Sequence, residues 1–254
     1  MNKFFIKSLN TYKIPRTIVI YTFFLTFLAD CVIFVGSKEN ISLDIEYLCI
    51  YVLFSAFVLL FSVQKGLAME QLDLLISGRW AALDFLPGNN VDRIVFSSCA
   101  QTIRCRQYQV FLALIFVSGL YLNSREPIWP VIIVPFFLVM GHICLVLLQS
   151  ICLWLSPKKY LALSNSIFTN FMMFFSGTSY PTVDFLEIEN LKYFLPTNAL
   201  IYIPSKILFH TLSGVSPPNA KEVATYFVAT VAWTTFLYAA ARMLNYYLRI
   251  KNHA

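Results

Sequence analysis

From Ile128 to Leu155 the chain runs without one Asp, Glu, Lys or Arg. Crossing the ~30 Å hydrocarbon core of a bilayer takes about 20 apolar residues as helix, and this run exceeds that. Five more segments have a similar character: Thr17–Gly36, Ile45–Gln64, Gln107–Leu122, Tyr160–Gly177 and Glu222–Tyr247. In lipid every backbone N–H and C=O must be satisfied within the protein, which favours helices for spans of this length. The chain therefore reads as an all-α polytopic membrane protein with six transmembrane helices. Composition agrees: 58% of residues are hydrophobic and 13% charged, against about 25% charged in soluble domains. No polar stretch is long enough for a separate soluble core, so 1–254 reads as one membrane domain.

Two spans carry local expectations. The third is short as an apolar run, and its helix is expected to continue into the cytosolic side, with Arg104 and Arg106 at the headgroups. The fourth contains Pro135, which should kink the helix without ending it, because neighbouring helices can satisfy the freed carbonyl.

Orientation follows from the distribution of basic residues. With the N-terminus inside, the inner segments hold 14 of the 19 Lys and Arg residues and only four of the 13 acids (Glu70, Asp73, Asp84 and Asp92). Both termini are then cytoplasmic, as in a bacterial inner (plasma) membrane protein. The net charge of +6 records this asymmetry, and no nucleic-acid partner is needed to explain it. Residues 1–16 lack a cleavage site after the first span. As a helix they place Phe5, Leu9 and Tyr12 opposite Lys3, Lys7 and Asn10, which suits a helix lying in the inner headgroup layer; a basic tail that only orients the first span is the plainer reading. The six cysteines form no CxxC pair and read as small buried residues, so no metal site is expected.

Three regions concentrate unusual residues. The inner segment 65–106 includes LISGRWAALDFLP. There Gly78 can break the helix extending from the second span, Arg79–Leu86 can form a short helix, and Pro87-Gly88 stops it. Trp80 and Leu83 share a face of that helix. They can dock a cytosolic partner or fold back on their own bundle. In the fifth span, Asn165, Thr169, Met172 and Ser176 recur at spacings of four, three and four, with Asn170 beside them. Polar groups in hydrocarbon must face protein or water, so this stripe is helix–helix glue or a pathway or subunit-interface face. Residues 178–221 are too polar for a span and too apolar for an ordinary loop. Tyr180-Pro181 makes a turn. Apolar residues interleave with Asp184, Glu187 and Glu189, and Pro196, Tyr202 and Pro204 punctuate the second half of the segment. Two short helices that dip into the outer leaflet and return fit this pattern, provided protein or water covers their polar groups.

The order of these elements resembles the permease subunit of type-2 ABC exporters. The resemblance covers nearly the whole chain: an interfacial helix, six spans, a coupling helix between spans two and three, and re-entrant helices between five and six. Its local pieces are LISGRWAALDFLP and SGTSYPTVDFLEIENLKYFLPTNALIYIPSKIL. The resemblance implies that Gly78, Leu83 and Pro87 frame a coupling segment seated on an ATPase subunit, with Arg79, Trp80 and Asp84 of the same segment as further coupling candidates. It implies that Tyr180, Pro181, Pro196, Tyr202 and Pro204 frame an outer gate, of which Glu187 is a further candidate. Phe185 stands where the family often has a proline. The resemblance also implies a second permease, identical or related, beside membrane lipids as partners.

The sequence has no GxxxxGK[ST] phosphate loop, so ATP and Mg are expected on a separate partner chain. The chain itself is expected to be non-catalytic. The lack of a long polar channel lining favours apolar or amphipathic cargo: a drug, a lipid-like molecule or a hydrophobic peptide. Two other classes stand beside this one. A membrane-embedded enzyme acting on a lipid would draw on Asp30, His142 and Glu222, which are scattered and form no recognised motif. An accessory assembly subunit would have no path of its own.

Overall fold

The computed structural model describes residues 89–104, 129–161, 195–212 and 219–253, together with Tyr51, Phe54, 108–110, 112, 113, 163, 164, 167 and Tyr193. Among the described residues every regular element is helical. Four α-helices stand out: α1 (Asn90–Arg104), α2 (Trp129–Leu155), α3 (Tyr202–Leu212) and α4 (Ala220–His253). The stretches Ile132–Leu155 and Ala220–Leu248 are long and apolar enough to cross a membrane. They fall where the fourth and sixth spans are expected. The other expected spans and the expected N-terminal interfacial helix lie wholly or largely outside the described residues.

The local chemistry sets the ends of these helices. Asn89 begins α1: its side-chain oxygen accepts from the Val91 N–H at 2.9 Å and its carbonyl from Arg93 N–H at 3.2 Å. Asp92 in the first turn complements the helix dipole. Asn219 does the same for α4, accepting from Lys221 N–H at 3.1 Å and through its carbonyl from Glu222 at 2.8 Å. Ser156 ends α2, its hydroxyl and N–H both directed to the Cys152 carbonyl. Pro157 follows and a 3-10 turn forms at Lys158–Tyr160. Pro135 lies inside α2, which runs on through it. Its carbonyl accepts from the Tyr108 hydroxyl at 3.2 Å.

α2 is the centre of the packing and touches each of the other three helices. α4 runs parallel to it. Phe136 stacks on Phe227 at 4.7 Å, and further along both helices Cys144 Sγ lies 3.2 Å from Thr234 Oγ1. α1 runs the other way. Asn245 donates to the Asn89 side chain at 3.3 Å and Tyr238 donates to Asp92, so rising numbers in α1 meet falling numbers in α4. Val91 and Ile94 are buried on this face, with Val95 and Cys99 packed beside them. α1 thus covers Asn90–Arg104, ahead of the expected third span, and its first turns lie on α2.

The parallel pairing constrains the chain between its two members. The chain leaves α2 at Leu155 and enters α4 at the opposite end of the pair, at Ala220. The two ends that residues 156–219 join therefore lie at opposite ends of the pair, about 40 Å apart along α2.

Candidate functional site

The most deeply buried stretch among the described residues is not in the middle of a long helix. It is 197–205, TNALIYIPS, where every residue is buried. Leu195–Ile201 is a set of tight turns: Asn198 N–H bonds the Leu195 carbonyl at 3.1 Å, Leu200 N–H bonds Thr197 at 2.9 Å, and Ile203 N–H bonds Asn198 at 3.0 Å. α3 then starts with Pro204 in its first turn, where the missing N–H would have no helical partner. Ser205 returns its hydroxyl to the Ile201 carbonyl at 2.7 Å.

Gly141 makes room for this turn. A Cβ there would stand 2.6 Å from Leu200 N, 2.8 Å from Ala199 C and 2.9 Å from Leu200 Cα. All three are backbone atoms, so the turn sits directly on the α2 backbone, about midway along the helix. α4 holds the same segment at a similar level. Trp233 donates its indole N–H to the Tyr193 carbonyl at 3.0 Å, and Tyr193 lies 5.5 Å from Tyr226, ring to ring. The segment therefore reaches the middle of the α2–α4 pair. α3, about 16 Å long, then leads away toward the start of α4, where Glu222 acts on His210.

Three residues expected at an outer gate lie in this region. Pro196 is half-buried in the turn, while Tyr202 and Pro204 are buried in the first turn of α3. The Tyr202 hydroxyl accepts from Lys206 Nζ at 3.1 Å. Tyr180, Pro181 and Glu187 of the same expected gate lie outside the described residues. So do the coupling residues Gly78, Arg79, Trp80, Leu83, Asp84 and Pro87, and the fifth-span residues Asn165, Thr169, Asn170, Met172 and Ser176.

Sequence reasoning missed two residues here. Gly141 is a single glycine in an apolar run, and its signal was the lack of a side chain at a depth where packing is densest. Thr197 is fully buried, and its hydroxyl has no hydrogen-bond partner among the described residues. Such a group costs ~1–3 kcal/mol, which the surrounding packing offsets. His210 carries the electrostatics of the site. Burial lowers its pKa below the ordinary histidine value, Lys206 lowers it further, and the Glu222 carboxylate partly opposes both.

Two of the three residues considered for lipid chemistry are described, and they do not converge. His142 is buried on α2, on the stripe of Leu138 and Leu145 that packs on the 199–209 core. Cys144 is level with Thr234. Glu222, whose carboxylate accepts from the Tyr226 hydroxyl at 2.7 Å, lies near the start of α4. That separates the two by about 15 Å along the helix axis. Asp30 lies outside the described residues. Among the described residues no group of three or more His, Cys, Asp and Glu gathers as metal ligands. No family model, curated protein or solved structure matches the chain.

Proposed function

We propose that the chain is the transmembrane permease subunit of an ATP-driven exporter of the type-2 ABC class. The observation that carries this reading is the turn at 195–201, seated midway along the parallel α2–α4 pair on Gly141. A permease of this class needs a segment between its last two spans that enters the membrane from outside and returns. Backbone of that kind is tolerated only where protein covers its polar groups, and here Thr197 to Ser205 are covered. In this reading α2 and α4 are the fourth and sixth of six spans, and Tyr160–Gly177 carries the chain back between them.

The turn and α3 close the outer end of the path. Pro196, Tyr202 and Pro204 shape them, with Tyr180, Pro181 and Glu187 completing the gate. Asn165, Thr169, Asn170, Met172 and Ser176 face the path or the second permease. Gly78–Pro87 docks on the ATPase, which binds ATP and Mg and supplies the energy. The cargo is apolar or amphipathic.

Gentle purification of the tagged chain from its native membrane tests this. A near-stoichiometric ATPase bearing a phosphate loop should accompany it, and Trp80→Glu with Leu83→Glu should release that ATPase while leaving the chain in the membrane. If no ATPase accompanies the unaltered chain under conditions that preserve other membrane complexes, the exporter reading fails.

A further inference from the structure

α2 and α4 differ in how they meet their surroundings. Most of the apolar window of α2 is buried, while only 22% of that of α4 is. α4 exposes Val228, Phe236 and Met243, followed by Tyr246 and Tyr247. Near the end of this apolar face stands an exposed polar relay. Tyr238 donates its hydroxyl to Asp92 of α1. Arg242 donates to that same hydroxyl at 3.3 Å and lies 5.7 Å from the Tyr238 ring centre. The relay engages one of the five guanidinium N–H donors, and the Arg242 side chain is exposed.

Depth gives this arrangement its meaning. Arg242 stands about 33 Å along α4 from Ala220, close to the ~30 Å thickness of the hydrocarbon layer. With the start of α4 at one headgroup layer, Arg242 is at the other. Tyr246 and Tyr247 lie one turn beyond, where aromatic side chains favour the interface. A guanidinium held there matches the phosphate of a phospholipid, which it can bind through two parallel hydrogen bonds.

The geometry points to a phospholipid seat on α4: Arg242 holds the lipid phosphate, oriented by Tyr238 and Asp92, while the acyl chains cover Val228, Phe236 and Met243. A second copy of the chain fits this face less well. A two-fold axis along the membrane normal keeps each residue at the depth of its own copy, so a dimer through this face would bring both Arg242 guanidiniums to one depth and set like charges against each other. The inference rests on the membrane-spanning part of the proposed function and not on the identity of the cargo.

Native mass spectrometry of the full chain in detergent tests the seat. The probes are a phospholipid and a diacylglycerol with the same acyl chains. The unaltered chain should retain the phospholipid and not the diacylglycerol. Arg242→Gln should weaken phospholipid retention about fivefold or more, as loss of a charge-assisted bond would. Tyr238→Phe, which keeps the ring and removes the orienting hydroxyl, should weaken it less. Lys221→Gln, at the other end of α4, should leave it unchanged. Equal retention of both lipids, or equal losses in the Arg242 and Lys221 variants, overturns the seat. So does a stable dimer that cross-links through Met243→Cys. Flotation of the chain with lipid vesicles is the control: a chain that does not float refutes the spans, while one that floats without discriminating the lipids refutes the seat alone.

Discussion

Gly141 and His210 show how single residues set the behaviour of the central turn. Gly141→Ala places a methyl group within 2.6–2.9 Å of the Ala199–Leu200 backbone. Backbone cannot rotate away as a side chain can, so overpacking should cost near the upper end of ~1–3 kcal/mol. That exceeds the ~1 kcal/mol by which Ala favours a helix over Gly. The apparent melting temperature of the purified chain should fall; an unchanged or higher value would refute the close approach. His210 makes a pH dependence with a definite sign. Its folded pKa lies below the ordinary 6.5, mainly through burial, so the fold prefers the neutral ring. The unfolded chain binds the extra proton first as pH falls. Stability is therefore full above about pH 6.5 and declines below it until the folded pKa is passed. Melting curves between about pH 7.5 and about pH 5.5, which bracket the ordinary histidine value, should show this loss, and His210→Gln should flatten it. Neither residue's role was legible in the sequence. A glycine in an apolar run and a histidine in a short amphipathic segment acquire their meaning only from what packs on them.

At the scale of elements, length and polarity decided what could be read. Ile128–Leu155 was expected as a span and α2 runs Trp129–Leu155, because an uncharged run of that length has few other solutions. The expected Glu222–Tyr247 appears within α4, Ala220–His253. The extra turns at its C-terminus carry Arg249 and Lys251, which a hydropathy argument leaves out although nothing in them breaks a helix. Pro135 does not end α2, which runs on through it to Leu155. α1 was less legible. Asp92, Arg93 and Arg104 hide an apolar stripe, Val91, Ile94, Val95 and Cys99, at helical spacing. Only the packing on α2 and α4 shows that this stripe is used. The grip of α4 on the turn is testable at this scale. Trp233→Phe keeps an aromatic ring but loses the bond to the Tyr193 carbonyl, worth about 1 kcal/mol. Amide hydrogen exchange across 195–203 should quicken about fivefold. Unchanged exchange would show that α2 alone holds the turn.

For the whole molecule, the decisive feature is direction. Phe136 with Phe227 and Cys144 with Thr234 make α2 and α4 parallel. In the proposed membrane reading, two parallel spans require the chain to recross between them, while the 195–212 segment runs from the midpoint of the pair toward the start of α4. The described part of the proline-punctuated stretch, 197–205, is buried because it packs against α2 at Gly141 rather than at the ends of the two long helices. The sequence carried the existence of this stretch through its mixed polarity, but not its depth, which depends on a glycine far back in the chain, in another helix. The most direct measurement is cysteine accessibility in intact cells. A version with its six native cysteines replaced would carry a single reporter, Ser156→Cys or Asn219→Cys, and be treated with a membrane-impermeant maleimide. The account predicts that Asn219→Cys labels from outside, and that Ser156→Cys labels only after the membrane is opened. Labelling of both positions from the same side would contradict it.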